Sequence, residues 1–143
     1  MIVPDINLLV HAYDRTSPRF DAARRWWESL LNGDEPVGLA WAAILGFIRL
    51  TTNRHVLTNP WTAEEACSVV REWLARPMVD LIHPDDHHAD TLFRLVASVG
   101  TAGNLTTDAH LAALAIEHQA QLHSTDADFG RFPGLRWTNP LAE

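Results

Sequence analysis

Apolar residues gather along this chain in short runs separated by longer segments with helix signals. IVPDINLLV (2–10), PVGLA (36–40), MVDLIH (78–83), AQLHST (120–125) and LRWTN (135–139) read as strands. A helix is expected from Ser17-Pro18, with Ser as cap and Pro at the first helical position, through RWWESLL to about Asn32. The apolar AWAAILGFIRLTTN (40–53) reads as a buried helix, and TAEEACSVVREWLA (62–75) opens with Thr62 and Glu65 at capping-box spacing. Further helices are expected at about 85–98 and 106–118. Strands that alternate with helices predict an α/β fold built on a mostly parallel central sheet of about five strands.

Length and composition narrow this further. With 143 residues, 47% of them hydrophobic, and no Pro/Gly/Ser-rich linker, the chain is the size of one compact domain, residues 1–143. No run of about 18 apolar residues occurs, and the N-terminus lacks a basic region and cleavage site, so a soluble, cytoplasmic protein with no membrane partner is expected. Cys67 is alone, which excludes an internal disulfide or a thiolate metal cluster. The formal charge of −7 argues against a simple nucleic-acid binder. All 11 basic residues are arginine, however, and Arg15, Arg19, Arg24 and Arg25 crowd one early segment. Arginine's planar fork suits phosphate, although an all-Arg count can equally reflect genome composition.

Candidate chemistry lies with the acids. Asp5 interrupts an apolar run where the first strand gives out, and in an open parallel sheet ligand sites gather outside the carboxyl ends of the strands. STDADF places Asp126 and Asp128 after a later strand in the same way. The helix over TTDAHLAALAIEH precedes that strand and must run antiparallel to it, which brings Asp108 to the same rim. Each acid also has a local explanation: Asp108 can oppose a helix dipole and Asp126 can cap a turn. Asp5 is harder to explain locally, because a lone acid in an apolar strand is unfavourable to bury unpaired. Converging carboxylates repel, and oxygen-only ligands point to Mg²⁺ or Mn²⁺, which would activate water against a phosphodiester.

The residues PDINLLVHAY, GNLTTDAHLAALAIEHQAQLHSTDADFGRF and PGLRWTNPL together resemble the VapC-like PIN-domain family, the ribonuclease toxins of type II toxin–antitoxin pairs. The resemblance spans essentially the whole chain. It implies a small α/β/α sandwich, Mg²⁺- or Mn²⁺-dependent endoribonuclease activity on RNA, a cognate antitoxin and a homodimer. By position it carries the family's metal-binding acids onto Asp5, Asp108 and Asp126, a more variable fourth onto Asp128, and supporting roles onto Asn7 and Thr125. One position departs from the pattern. Where the family has a glutamate on the helix after the second strand this chain has Gly46, and no Asp or Glu lies between Gly38 and Asn59. A reduced acid set and a weakened, non-catalytic RNA- or antitoxin-binding module are the competing consequences. With Gly46 presented to the acidic rim, a glutamate introduced there is expected to be tolerated and to add a ligand.

Other features carry less. HPDDHH (83–88) looks like a metal cluster, but its place between strand and helix makes Asp85 or Asp86 a cap with solvated histidines. His110 is close enough in sequence to Asp108 to be tried as a substrate contact, and Arg49 as a partner for a phosphate or an internal carboxylate. Trp26 and Trp27 are helical neighbours pointing about 100° apart, so one is expected at an edge or groove. A small-molecule phosphohydrolase using an aspartyl phosphate is a weaker alternative, since Asn7 stands where a DxD motif needs its second acid and no lysine is present.

Overall fold

The computed structural model describes residues 1–100 and 103–142. The elements are β1 (Ile2–Pro4), α1 (Ile6–His11), α2 (Phe20–Leu31), β2 (Val37–Ala40), α3 (Trp41–Thr51), α4 (Ala63–Leu74), β3 (Val79–Ile82), α5 (His88–Ser98), α6 (Thr106–Glu117), β4 (Gln121–His123) and β5 (Arg136–Thr138). Short 3-10 turns occupy Gly103–Leu105 and Ala127–Arg131. The five strands form one sheet in the order β3-β2-β1-β4-β5, and every pair is parallel rather than mostly so. No helix among the described residues is long and apolar enough to cross a membrane.

The run 2–10 expected as one strand is split. β1 stops at Pro4, Asp5 takes an extended N-cap conformation (φ −77°, ψ 156°), and the apolar INLLVH becomes α1, burying Leu8, Leu9 and Val10. A short unbroken apolar run fits a buried helix as well as a buried strand, and the Asp cap decides between them. Two further boundaries move. Ser17 closes a turn ahead of α2, its Oγ accepting from the Arg19 N–H at 3.1 Å, so α2 begins at Phe20 rather than at Pro18. Asp85 accepts from the His87 N–H at 2.9 Å in the approach to α5, which starts at His88. The capping box of α4 is present as read: Thr62 Oγ1 accepts from the Glu65 N–H at 3.1 Å, and Glu65 Oε1 from the Thr62 N–H at 3.2 Å.

The core is aromatic on one face of the sheet. Trp27, Phe47 and Trp73 are fully enclosed, with Trp27 and Trp73 edge to face at 5.3 Å and Phe47 and Trp73 at 4.6 Å. Tyr13 joins this group and accepts from Trp73 Nε1 at 2.9 Å. Trp26, the helical neighbour of Trp27, is only half-buried and donates from Nε1 to Nδ1 of His123 on β4 at 3.0 Å, which fulfils the expected division of the pair.

Gly46 is where α3 meets α1. A Cβ there would stand 2.7 Å from Ile6 Cδ1 and 3.0 Å from both Cγ1 and Cγ2 of the same side chain. The Cδ1 end can swing away, but Cγ2 branches from Cβ and moves only with the whole rotamer. A glutamate at this position therefore displaces Ile6, contrary to the expectation that it is readily accommodated. Glycine within a helix sacrifices about 1 kcal/mol against good helix formers, and overpacking costs about 1–3 kcal/mol, so the steric effect outweighs the propensity gain. Gly46→Ala should lower the Tm slightly and Gly46→Glu should lower it further, by an amount corresponding to about 2 kcal/mol or more; thermal melts followed by circular dichroism check the order.

Candidate active site

The register of the sheet sets the site. Pro4 of β1 pairs with His123 of β4, and the Asp5 N–H extends that ladder by donating to the His123 carbonyl at 2.9 Å. The first residues beyond the two strands, Asp5 and Ser124, are thus neighbours although 119 positions apart. Both lie at the carboxyl edge, at the point where the connections out of the central strand go to β2 on one side while β4 lies on the other. This is the crevice in which open α/β sheets bind ligands.

Asp5 is 4% exposed. Its Oδ1 accepts from the Ile6 N–H and its Oδ2 from the Ser124 hydroxyl, each at 2.7 Å. Ser124 Oγ in turn accepts from the Asp126 N–H at 3.0 Å, so one fully buried hydroxyl uses its proton on Asp5 and a lone pair on the next acidic segment. Asp126 Oδ1 accepts from the Asp128 N–H at 2.9 Å and so caps the 3-10 turn Ala127–Arg131. Its local role as a cap coexists with its place on the rim. Asp108 lies in the first turn of α6.

Electrostatics joins the four acids. Burial pushes the Asp5 carboxyl above its ordinary range; the Ser124 and Ile6 hydrogen bonds oppose the shift and the charge on Asp126 adds to it. Asp108 is pushed up to about 6, first by burial and then by the charges of Asp5, Asp126 and Asp128. Asp108 thus feels the charge of carboxylates from two segments distant from it in sequence. Among the described residues no group of three or more His, Cys, Asp or Glu side chains is placed so that it could hold a metal ion. The four acids offer oxygen alone, the donor type that suits a hard divalent cation and not zinc.

Sequence reasoning missed Ser124. The signal was available in the pairing rather than in the motif: aligned parallel strands ending in P-D and H-S set Asp5 beside Ser124. The side chains of Asn7, exposed on α1, and Thr125, half-buried, make no hydrogen bond to these acids among the described residues. His110 is engaged elsewhere, its Nδ1 2.9 Å from Nε2 of His88, whose Nδ1 meets the buried Glu117 carboxylate. His88 is therefore not the solvated histidine expected from HPDDHH. It belongs to an internal Glu–His–His chain tying α5 to α6. Arg49 is exposed on α3 and pairs with no carboxylate among the described residues.

The profile of the PIN domain matches residues 2–135. The chain belongs to the PIN-domain family. Among curated members, Ribonuclease VapC33 of Mycobacterium tuberculosis is 45% identical over 143 residues, covering 100% of both chains, and Ribonuclease VapC37 of the same species is 44% identical over 142 residues, covering 99% of both. The fold is shared with M. tuberculosis VapC20, described as a sarcin-ricin loop cleaving toxin (TM-score 0.69, 17% identity, 95% of this chain and 99% of that one). It is shared too with VapBC2 from Rickettsia felis bound to a promoter DNA fragment (TM-score 0.69, 17% identity, 97% and 98%). At these identities the solved structures speak for the PIN fold alone.

The Asp108 shift has a definite sign. Its carboxyl holds a proton to about pH 6 in the fold and loses it near 3.8 when unfolded. Between those values the folded chain binds more protons, so the contribution of this group to stability is greatest below pH 4, falls as pH rises to 6 and stays low above. Because Asp108 is half exposed, solvent screening reduces the effect to roughly 1 kcal/mol, a few degrees of Tm. Asp108→Asn should therefore melt with wild type at pH 4 and a few degrees above it at pH 7 in chelator. Excess Mn²⁺ should narrow the gap at pH 7.

Proposed function

We propose that this PIN-domain protein is an endoribonuclease toxin that depends on Mg²⁺ or Mn²⁺, with the ion held by Asp5, Asp108 and Asp126 and with Asp128 at the margin of the set. The observation that carries the reading is the join at the sheet edge, where the Ser124 hydroxyl links the buried Asp5 carboxylate to the Asp126 backbone, while burial and the charges of Asp5, Asp126 and Asp128 raise half-buried Asp108. Full-length relatives at 45% and 44% identity named as ribonucleases support RNA as the substrate. A divalent cation supplies such a site with Lewis acidity toward a phosphodiester and with an acidified attacking water.

The chain's own residues provide the rest. Ser124 and the Ile6 N–H fix the Asp5 carboxylate in orientation, and the Ser124 link to the Asp126 backbone keeps the second acidic segment in register with the first. Asn7 and Thr125 flank this arrangement in sequence, and their side chains make no hydrogen bond to it among the described residues. The reading as a non-catalytic module rests on Gly46 alone, and position 46 is filled by Ile6 while the remaining acids stay coupled.

A cognate antitoxin is the partner. Its inhibitory segment would set a basic side chain against the acidic rim of Asp5, Asp108 and Asp126 and an apolar helix face on the hydrophobic surface beside it. Trp41 and Leu45 stand 49% and 60% exposed one turn apart on α3, which supports a homodimer formed through this helix.

Asp5→Asn and Asp126→Asn should each reduce Mn²⁺-dependent cleavage of a mixed RNA pool on the order of 100-fold or more, since several kcal/mol of charge stabilisation is lost. Far-UV circular dichroism should be unchanged. Cleavage at the wild-type rate by either variant overturns the assignment of the site. Co-expression with the product of the adjacent reading frame should give a stable complex whose nuclease activity is suppressed. Light scattering on the free protein should return twice the mass of one chain.

A further inference from the structure

Arg131 closes the 3-10 turn that carries Asp126 and Asp128. Its Nη1 is 3.9 Å from Asp128 Oδ1, and its Nη2 donates to the Val99 carbonyl at 3.3 Å. Val99 is the C-cap of α5, at the start of the connection into α6 and Asp108. The guanidinium thus spans two of the three segments that bring acids to the rim. Among the described residues it is the one arginine within ion-pair distance of any of the four carboxylates.

The bond to Val99 satisfies a carbonyl at the end of α5, but it leaves the ion pair and most of the guanidinium without a structural task. Both side chains of the pair are half exposed, 50% and 51%, and an exposed pair at this separation adds little to stability. One N–H serves Val99, and the remaining donors of the fork have no protein acceptor among the described residues. A phosphodiester offers what is missing, two non-bridging oxygens at the spacing that a guanidinium meets in bidentate fashion. RNA approaching a rim of carboxylates also needs a cation fixed on the protein side.

We propose that Arg131 is the phosphate-binding residue of this site, gripping a phosphodiester of the RNA beside the carboxylate cluster and so setting where the strand lies. The inference rests on the reading of Asp5, Asp108 and Asp126 as the cleaving centre. Arg131 binds substrate and is not a metal ligand, and that difference makes it separable.

The probe is a random-sequence, fluorescently labelled single-stranded RNA pool. In Ca²⁺, used to suppress cleavage, Arg131→Ala should weaken binding and make the slope of log K against log salt shallower by about 0.7, the signature of one lost phosphate contact on a single strand. In Mn²⁺ it should cut kcat/KM at least 30-fold with Mn²⁺ affinity unchanged by calorimetry. Arg131→Lys should recover the slope but only part of the rate, and added guanidinium should raise the rate of the alanine variant and not that of Asp5→Asn. An unchanged salt slope, cleavage within threefold of wild type, or a parallel loss of Mn²⁺ affinity overturns the proposal. An Asp5→Asn variant as active as wild type would instead remove the centre on which it rests, and the proposal with it.

Discussion

Asp5 is a carboxylate at 4% exposure on the end of the central strand, and its neighbours do not fully compensate its burial. Two charge-assisted hydrogen bonds of 2.7 Å stabilise the ionised form by roughly 1.5–3 kcal/mol each. Removing such an ion from water costs several kcal/mol even after the surroundings relax. The upward displacement of its titration shows that desolvation is the larger effect here, and the charge on Asp126 increases it. The most buried of the four acids is thus also an under-compensated one. Asp108, loaded by three other carboxylates, is in the same condition.

The fold makes that tension unavoidable. β1 lies at the centre of an all-parallel sheet, with β2 on one side and β4 on the other, so the residues following β1 and β4 emerge together. The Asp5 N–H continues the β1–β4 ladder to the His123 carbonyl, which leaves Asp5 no freedom to retreat from Ser124. α1 begins directly after the acid, and its first residue, Ile6, both donates to Asp5 Oδ1 and plugs the space against Gly46 of α3. A packing contact between two helices thereby bears on the orientation of a carboxylate. Relaxing the site by moving Asp5 outward would break a strand pairing, a helix cap and a helix–helix contact together.

Much of this was legible in the sequence, because strand and helix alternation, the capping box of α4 and the recurrence of acids after apolar runs are all local signals. The convergence of Asp5, Asp108 and Asp126 followed from topology, since an antiparallel helix ahead of a parallel strand must start at that strand's carboxyl edge. What escaped depended on pairing in space. Ser124 reads as an ordinary serine until the Pro4–His123 register sets it against Asp5. His88 reads as one of three solvated histidines until α5 folds back onto Glu117 and His110. The openness of position 46 could not be judged from helix propensity, because the obstacle is Ile6 on another helix, 40 positions earlier.

The charge of the chain, −7 with arginine as its sole cation, bears on how such a protein meets RNA. The carboxylates that strain the metal-free rim are the groups that would repel an incoming phosphate. On the proposed reading one divalent cation relieves both effects, lowering the repulsion among the acids and the repulsion toward the substrate. Two ligands that each neutralise a burden imposed by the other's site must favour each other's binding, and thermodynamic linkage makes the coupling reciprocal: RNA tightens the ion by the factor by which the ion tightens RNA. An acidic protein with weak sites for either ligand alone can thus become a competent binder of the pair. On that reading, the net charge that first argues against a nucleic-acid partner becomes the reason for a dependence on metal.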